Sequence, residues 1–174
     1  MKYLLFDANY LARRAFHSSG ELSLAGIKTG VIYGFLREVA YLKRVLDCGN
    51  CAFAFDCGRF LRFDLYPNYK ADRIRKKALA TDWEKEVEEV YKDQLMLLQA
   101  DYLLRLGYKN VFAKDGFEAD DLIGRLCKSK PVDSQYMIVS ADQDFYQLLG
   151  AGVAIYHPQK RELEMQKTFT EKYA

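Results

Sequence analysis

Three short, almost wholly apolar runs in this chain each lead into aspartate: Leu4-Leu5-Phe6-Asp7, Phe53-Ala54-Phe55-Asp56, and Met137-Ile138-Val139 followed by Ser140-Ala141-Asp142-Gln143-Asp144. A run of this kind reads as a strand buried on both faces of a parallel sheet. Helical patterns separate the runs, so the chain is predicted to be a doubly wound α/β layer. In such a layer the ligand crevice lies outside the carboxyl ends of the strands. Asp7, Asp56, Asp142 and Asp144 are therefore expected to converge, although more than a hundred residues separate the first from the last.

A further acidic cluster, Gly116-Phe117-Glu118-Ala119-Asp120-Asp121, opens a helical stretch. At about 100° per residue, Glu118 and Asp121 share a helix face while Asp120 points elsewhere, so the turn presents carboxylates in more than one direction. Carboxylates gathered in this way take up protons or share cations. An all-oxygen donor set selects hard ions such as Mg²⁺ or Mn²⁺. A plainer reading exists at each site alone, since aspartate after a strand is a common helix N-cap and acids suit the first turn of a helix dipole. The joint occurrence of seven such acids favours the metal site.

At 174 residues, half of them hydrophobic, the chain has enough apolar material for one domain with its own core. No run reaches the roughly 18 apolar residues of a membrane span, and the start lacks a signal-peptide pattern, so a soluble intracellular protein is expected. Cys48, Cys51, Cys57 and Cys127 are expected reduced. Cys48-Gly49-Asn50-Cys51 precedes a strand where a redox pair would follow one, and zinc would need two more soft ligands. His17 and His157 carry no ligand spacing and read as surface or packing residues.

The net charge of +2 predicts no partner, but its distribution is informative. From Arg59 to Lys77 there are seven basic residues against two acids, with Tyr66 and Tyr69 interleaved. That combination supplies phosphate-binding charge, Lys76 and Lys77 included, beside rings on which bases stack. A solvated basic loop is the simpler alternative.

The expected element order is β-α-β-α-β-α-β-α-β, with the basic stretch inserted after the second strand over about 59–95. Strands are expected at Lys2 to Phe6, Cys51 to Phe55, Asn110 to Ala113, Tyr136 to Ser140 and Val153 to Tyr156. The first helix is expected to run through Arg14, followed by a loop around Gly20 to Lys28 and a helix from about Thr29 to Leu46. A long helix from about Asp82 to Leu106 should bury Val87, Val90, Leu95, Leu98, Tyr102 and Leu106 along one stripe, with Gly107 as its C-cap. Shorter helices are expected from Glu118 to about Cys127 and around Phe145 to Leu149.

Five segments in order, Asp7-Ala8-Asn9-Tyr10-Leu11-Ala12-Arg13-Arg14-Ala15-Phe16-His17, Thr29-Gly30-Val31-Ile32-Tyr33-Gly34-Phe35, Tyr66-Pro67-Asn68-Tyr69-Lys70-Ala71-Asp72-Arg73, Glu118-Ala119-Asp120-Asp121 and Ser140-Ala141-Asp142-Gln143-Asp144, resemble the 5′-nuclease family. That family comprises the 5′-3′ exonuclease domains of bacterial DNA polymerases, phage 5′-3′ exonucleases and flap endonucleases. The resemblance implies a PIN-like α/β domain that cuts DNA near 5′ ends or flaps with two Mg²⁺ or Mn²⁺ ions. It implies that Asp7, Asp56, Glu118, Asp120, Asp121, Asp142 and Asp144 are direct or water-mediated metal ligands, with Asp142 essential to cutting. Lys70 and Arg73 would meet the scissile phosphate. Arg14, Thr29, Gly30 and the loop around Gly26 match a DNA-contacting region, and Tyr69, Lys76 and Lys77 belong to a segment resembling the arch that handles the 5′ single strand. The setting implied is the cytoplasm of a bacterium or of a phage-infected one.

The pattern departs from the family at Ala8, where glycine is usual, and at Arg13, where an aromatic is common. Family members also continue into a helical element that binds duplex DNA and adds two further aspartates; this chain stops at Ala174. On that ground the chain is expected to be either a fragment of a longer protein or a minimal form whose second metal and duplex grip are weakened or come from a partner. The alternative function is a non-catalytic nucleic-acid-binding module of the same fold. An aspartyl phosphatase would want a second acid two residues after the first, where Asn9 stands.

Overall fold

The structure is a computed structural model that describes residues 1–58, 60–66 and 68–173, with the backbone alone at 73, 74, 77 and 173. The chain runs β1 (Lys2–Asp7), α1 (Ala8–Ser19), β2 (Ser23–Leu24), β3 (Ile27–Lys28), α2 (Gly30–Val45), β4 (Asn50–Phe55), α3 (Arg62–Leu65), α4 (Ala71–Ala78) and α5 (Asp82–Leu97). A π-helical turn (Leu98–Tyr102) joins α5 to α6 (Leu103–Arg105), and β5 (Val111–Ala113), α7 (Ala119–Lys128) and β6 (Gln135–Val139) follow. A 3₁₀ turn (Gln143–Leu148), β7 (Val153–His157), β8 (Glu162–Glu164) and α8 (Gln166–Tyr173) complete it.

The main sheet has the order β5-β4-β1-β6-β7-β8, parallel except for β8, which pairs antiparallel with β7. Strand β1 is central: the chain first steps from it to β4 and β5, then crosses to β6 and β7 on its other side. The crevice at that switch point is where ligands bind in open α/β sheets.

Period-two alternation divides the core between the two faces of the sheet. Leu4, Phe6, Phe53 and Phe55 face α1 and α2, where they pack with Leu11, Val31 and Phe35; Phe6 stacks on Phe53 with ring centroids 5.0 Å apart. Leu5, Ala52, Ala54 and Ile138 face α7, meeting Ala119, Ile123 and Phe145. Phenylalanines on one side of β4 and alanines on the other let α7 lie close against the sheet. Its acidic first turn is thereby carried to the strand ends.

Several elements differ from the sequence expectation. Helix α1 continues past Arg14 to Ser19, burying Ala8, Leu11, Ala12, Ala15 and Ser19 at helical spacing. The loop expected at Gly20 to Lys28 contains the β2–β3 hairpin, whose two turn residues Ala25 and Gly26 both have positive φ (51° and 80°), as a tight I′ turn requires. In the long helix the buried residues are Tyr91, Gln94, Leu98 and Leu103, whereas Val90, Tyr102 and Leu106 are exposed. The π turn inserts an extra residue and turns Tyr102 and Leu106 off the stripe, whereas Val90, which precedes it, faces outward within α5 itself. Strand β8 and helix α8 were not foreseen.

Within the basic insertion, the described side chains of α3 and α4 belong to neither core cluster, and α5 packs on α1 and α2. Among the described residues no helix is long and apolar enough to cross a membrane.

Candidate metal and nucleic-acid site

Asp7 ends β1 and caps α1. Its Oδ1 accepts from the Tyr10 N–H (3.0 Å) and its Oδ2 from the Ser140 hydroxyl (3.1 Å). Ser140, fully buried after β6, also accepts from the Asp142 N–H (3.2 Å), so one hydroxyl ties the ends of β1 and β6 together. Burial, reinforced by the charges of Asp56 and Asp142 and opposed by the two hydrogen bonds, raises the Asp7 carboxyl from 3.8 to about 6. Asp142 in turn caps the following 3₁₀ turn, accepting from the Asp144 N–H at 2.9 Å. Beyond β4, the Asp56 N–H donates to Asn9 Oδ1 (3.0 Å), and its carboxylate accepts from the Ala119 N–H (2.8 Å) at the start of α7.

Glu118 caps α7 in a reciprocal box with Asp121, whose Oδ2 accepts from the Glu118 N–H at 3.1 Å. The Glu118 side chain is buried and accepts hydrogen bonds from Lys70, the Tyr69 hydroxyl and Arg62. Burial pushes its carboxyl upward, but Lys70, Tyr69 and Arg62 outweigh that and hold it below the ordinary value. Asp120 is raised instead, by burial first and then by the charges of Asp121 and Glu118. Arg62 bridges all three acids of the turn, donating to Asp121 Oδ1 at 2.6 Å and approaching Asp120 at 3.3 Å.

Two cavities result. Asp7, Asp56, Glu118, Asp120 and Asp142 line one of about 540 Å³ together with Lys70. Asp120, Asp121 and Asp144 line the other, of about 420 Å³, together with Arg62 and Tyr69. All seven predicted acids thus face one of two cavities that share Asp120. As their side chains are placed, among the described residues no three His, Cys, Asp or Glu form a group that could hold a metal ion. The carboxylates are turned onto Tyr10, Ser140, Ala119, Lys70 and Arg62.

The donor set nevertheless suits a hard divalent cation, being composed of oxygen and crowded with like charge. Tyr10 supplies a second observation: its hydroxyl, on a residue lining the first cavity, is buried without a hydrogen-bond partner among the described residues. A metal-bound water is a group able to satisfy it.

The residues predicted for nucleic acid divide. Tyr69 and Lys70 reach the acids, and Lys70, at φ 53°, lies 5.0 Å from the Phe60 ring and 5.1 Å from that of Tyr69. Lys76 is exposed on α4. The side chains of Arg73 and Lys77 lie outside the described residues. Arg14 pairs with Glu38 (3.1 Å), away from both cavities. Thr29 and Gly30 open α2, where the Val31 and Ile32 N–H groups donate to the buried Gln94 Oε1 at 3.0 and 3.3 Å. Gly30 is needed for packing, since a Cβ there would stand 1.8 Å from the Ser19 carbonyl oxygen. Arg13 lines the first cavity with its guanidinium on both oxygens of Glu88 (2.8 and 2.9 Å) and 3.7 Å from the centre of the Tyr91 ring.

Sequence reasoning did not assign roles to Arg62, Ser140, Asn9 and Gln94. Ser140 and Asn9 stand inside quoted motifs, and that nearness to the acids was the available signal. The Cys51 thiol is pushed up to about 11, chiefly by burial, which disfavours thiolate chemistry at the Cys48–Cys51 pair.

These features define a doubly wound α/β protein with an acidic centre at its switch point. Residues 2–174 match the family model described as the 5′-3′ exonuclease, N-terminal resolvase-like domain, and the chain belongs to that family. It is 30% identical over 169 residues to DNA polymerase I of Mycobacterium leprae, covering 94% of this chain and 17% of that protein. It is also 30% identical over 157 residues to the 5′-3′ exonuclease of Mycoplasmopsis pulmonis, covering 90% of this chain and 48% of that one. Among solved structures, a bacteriophage T5 flap endonuclease in a pseudo-enzyme–product complex with DNA and metal ions superposes with a TM-score of 0.75 at 20% identity, covering 99% of this chain and 61% of that one. The chain spans less than two thirds of each of these relatives.

Proposed function

We propose that the chain is the cutting domain of a divalent-metal-dependent 5′-3′ nuclease, hydrolysing DNA phosphodiesters near 5′ ends or flaps. The observation that carries this reading is the meeting of Asp7, Asp56, Glu118, Asp120 and Asp142 in one cavity beside Lys70. The DNA and metal ions of the T5 relative, and the exonuclease name of the Mycoplasmopsis one, support it.

Asp7, Asp56, Glu118, Asp120 and Asp142 would hold one Mg²⁺ or Mn²⁺, and Asp120, Asp121 and Asp144 would hold a second. Bound ions supply a nucleophilic water at neutral pH and neutralise charge on the attacking and leaving oxygens. Ser140 holds Asp7 and Asp142 in mutual register, and Asn9 fixes the turn that carries Asp56. Lys70, freed from Glu118, stabilises the charge that develops on the phosphate, together with Arg73. No serine, cysteine or histidine nucleophile is required. Tyr69 and the exposed Lys76 guide the single strand across the insertion.

The test offers the protein duplexes labelled on a 5′ flap or a 3′ flap, with Mg²⁺, Mn²⁺ or EDTA. Metal-dependent cutting of the 5′ flap is expected. DNA binding without cutting in either metal would instead support the non-catalytic module.

A further inference from the structure

Each acid cavity already holds a cation belonging to the chain itself. Lys70 lies in the first on Glu118, and Arg62 lies in the second across Glu118, Asp120 and Asp121. Both come from the insertion after β4. Helix α3 buries none of its residues, and Leu61, Leu65 and Tyr66 are 50%, 86% and 60% exposed. Apart from the Leu61 N–H on the Gly116 carbonyl (2.9 Å), the tethers described between residues 60–66 or 68–72 and the acidic turn are these contacts of Arg62 and Lys70 and the Tyr69 hydroxyl on Glu118. A guanidinium suits such a bridge because its donors form a planar fork that serves several carboxylates at once.

We propose that Arg62 is a latch: it is the internal counter-ion of the acidic centre, and a divalent cation displaces it, which frees α3 and presents Arg62 to the substrate phosphate. This rests on the metal-dependent reading above. Arg62 and the ions claim the same oxygens, and a divalent ion places twice the charge at one point. Binding and latching are therefore mutually exclusive. By linkage, whatever the latch takes from metal affinity, metal takes from the docking of the segment. The device keeps the acids neutralised until metal arrives, and it couples metal loading to opening of the strand-handling segment.

The test compares the wild-type chain with Arg62→Gln and Arg62→Lys. Mn²⁺ affinity is measured by calorimetry, and chymotryptic cutting within α3, at Phe63 and Leu65, is followed with and without Mn²⁺. Arg62→Gln should bind Mn²⁺ at least about fivefold more tightly. Mn²⁺ should speed cutting of the wild-type segment, and the Gln variant should be cut at the faster rate without metal. Arg62→Lys, which keeps the charge and loses the fork, should fall between. A folded Arg62→Gln that binds Mn²⁺ no more tightly than wild type, or a wild-type segment that Mn²⁺ protects, overturns the latch. If the wild type still binds Mn²⁺ and cuts DNA, the nuclease reading survives that result. A wild type that neither binds Mn²⁺ nor cuts DNA overturns both.

Discussion

Replacing Asp7 by asparagine should stabilise the metal-free protein while destroying its proposed activity. The carboxyl titrates at about 6 in the folded chain against 3.8 ordinarily, because burial and the charges of Asp56 and Asp142 oppose its ionisation. A folded-state value raised in this way makes ionisation unfavourable to folding. The penalty is absent below the ordinary value, grows as pH rises between the two, and is complete above the higher one. The gap corresponds to about 3 kcal/mol at about pH 8, falling to about 1 kcal/mol at about pH 4.5. Asparagine retains a carbonyl oxygen to accept from the Tyr10 N–H, and its amide can donate to Ser140 Oγ, so both local contacts have a replacement. Urea unfolding in EDTA at the two pH values measures the difference directly. The Asn variant should be more stable at the higher pH, and most of that advantage should vanish at the lower one. Equal stability at the higher pH, or a gain independent of pH, would refute the electrostatic account of the cavity. Saturating Mn²⁺ should reverse the order by stabilising only the wild type.

Three further outcomes follow from the geometry. Lys70→Ala should lower single-turnover cutting by about 10²–10³-fold while leaving DNA affinity nearly unchanged; a loss confined to affinity would make Lys70 a binding residue. Gln94→Leu removes the acceptor from the buried Val31 and Ile32 N–H groups, and should cost about 1–3 kcal/mol in urea unfolding. An unchanged midpoint would show that the start of α2 finds other partners. Arg62→Gln should tighten Mn²⁺ binding, as calorimetry would show.

The parts of the molecule legible in the sequence are those where one local pattern carries the information. β1, β4 and β6 are short apolar runs, and parallel strands place whatever follows them at one end of the sheet. Asp7, Asp56 and Asp142 could therefore be brought together from spacing alone. β8 shows the limit. Its buried residue is Glu164, and its leucine, Leu163, is 40% exposed, so the pattern is inverted and only pairing with β7 makes it a strand. The two-residue strands of the hairpin are too short to show any period. In the long helix the stripe was projected through a π turn that no residue type announces. Arg62 was one of seven basic residues with nothing to single it out. Its partners lie 56 to 59 residues further along the chain, a relation that exists only once α7 has packed against Ala52 and Ala54.

The most direct test of the central claim is cutting of a 5′-flapped duplex by the wild-type chain and by Asp142→Asn, side by side in Mn²⁺ and in EDTA. The account predicts cutting by the wild type in Mn²⁺ alone and at least about a hundredfold loss in the variant, with the fold unchanged by circular dichroism. Undiminished cutting by Asp142→Asn, or no cutting by a folded wild type that binds Mn²⁺, would contradict it.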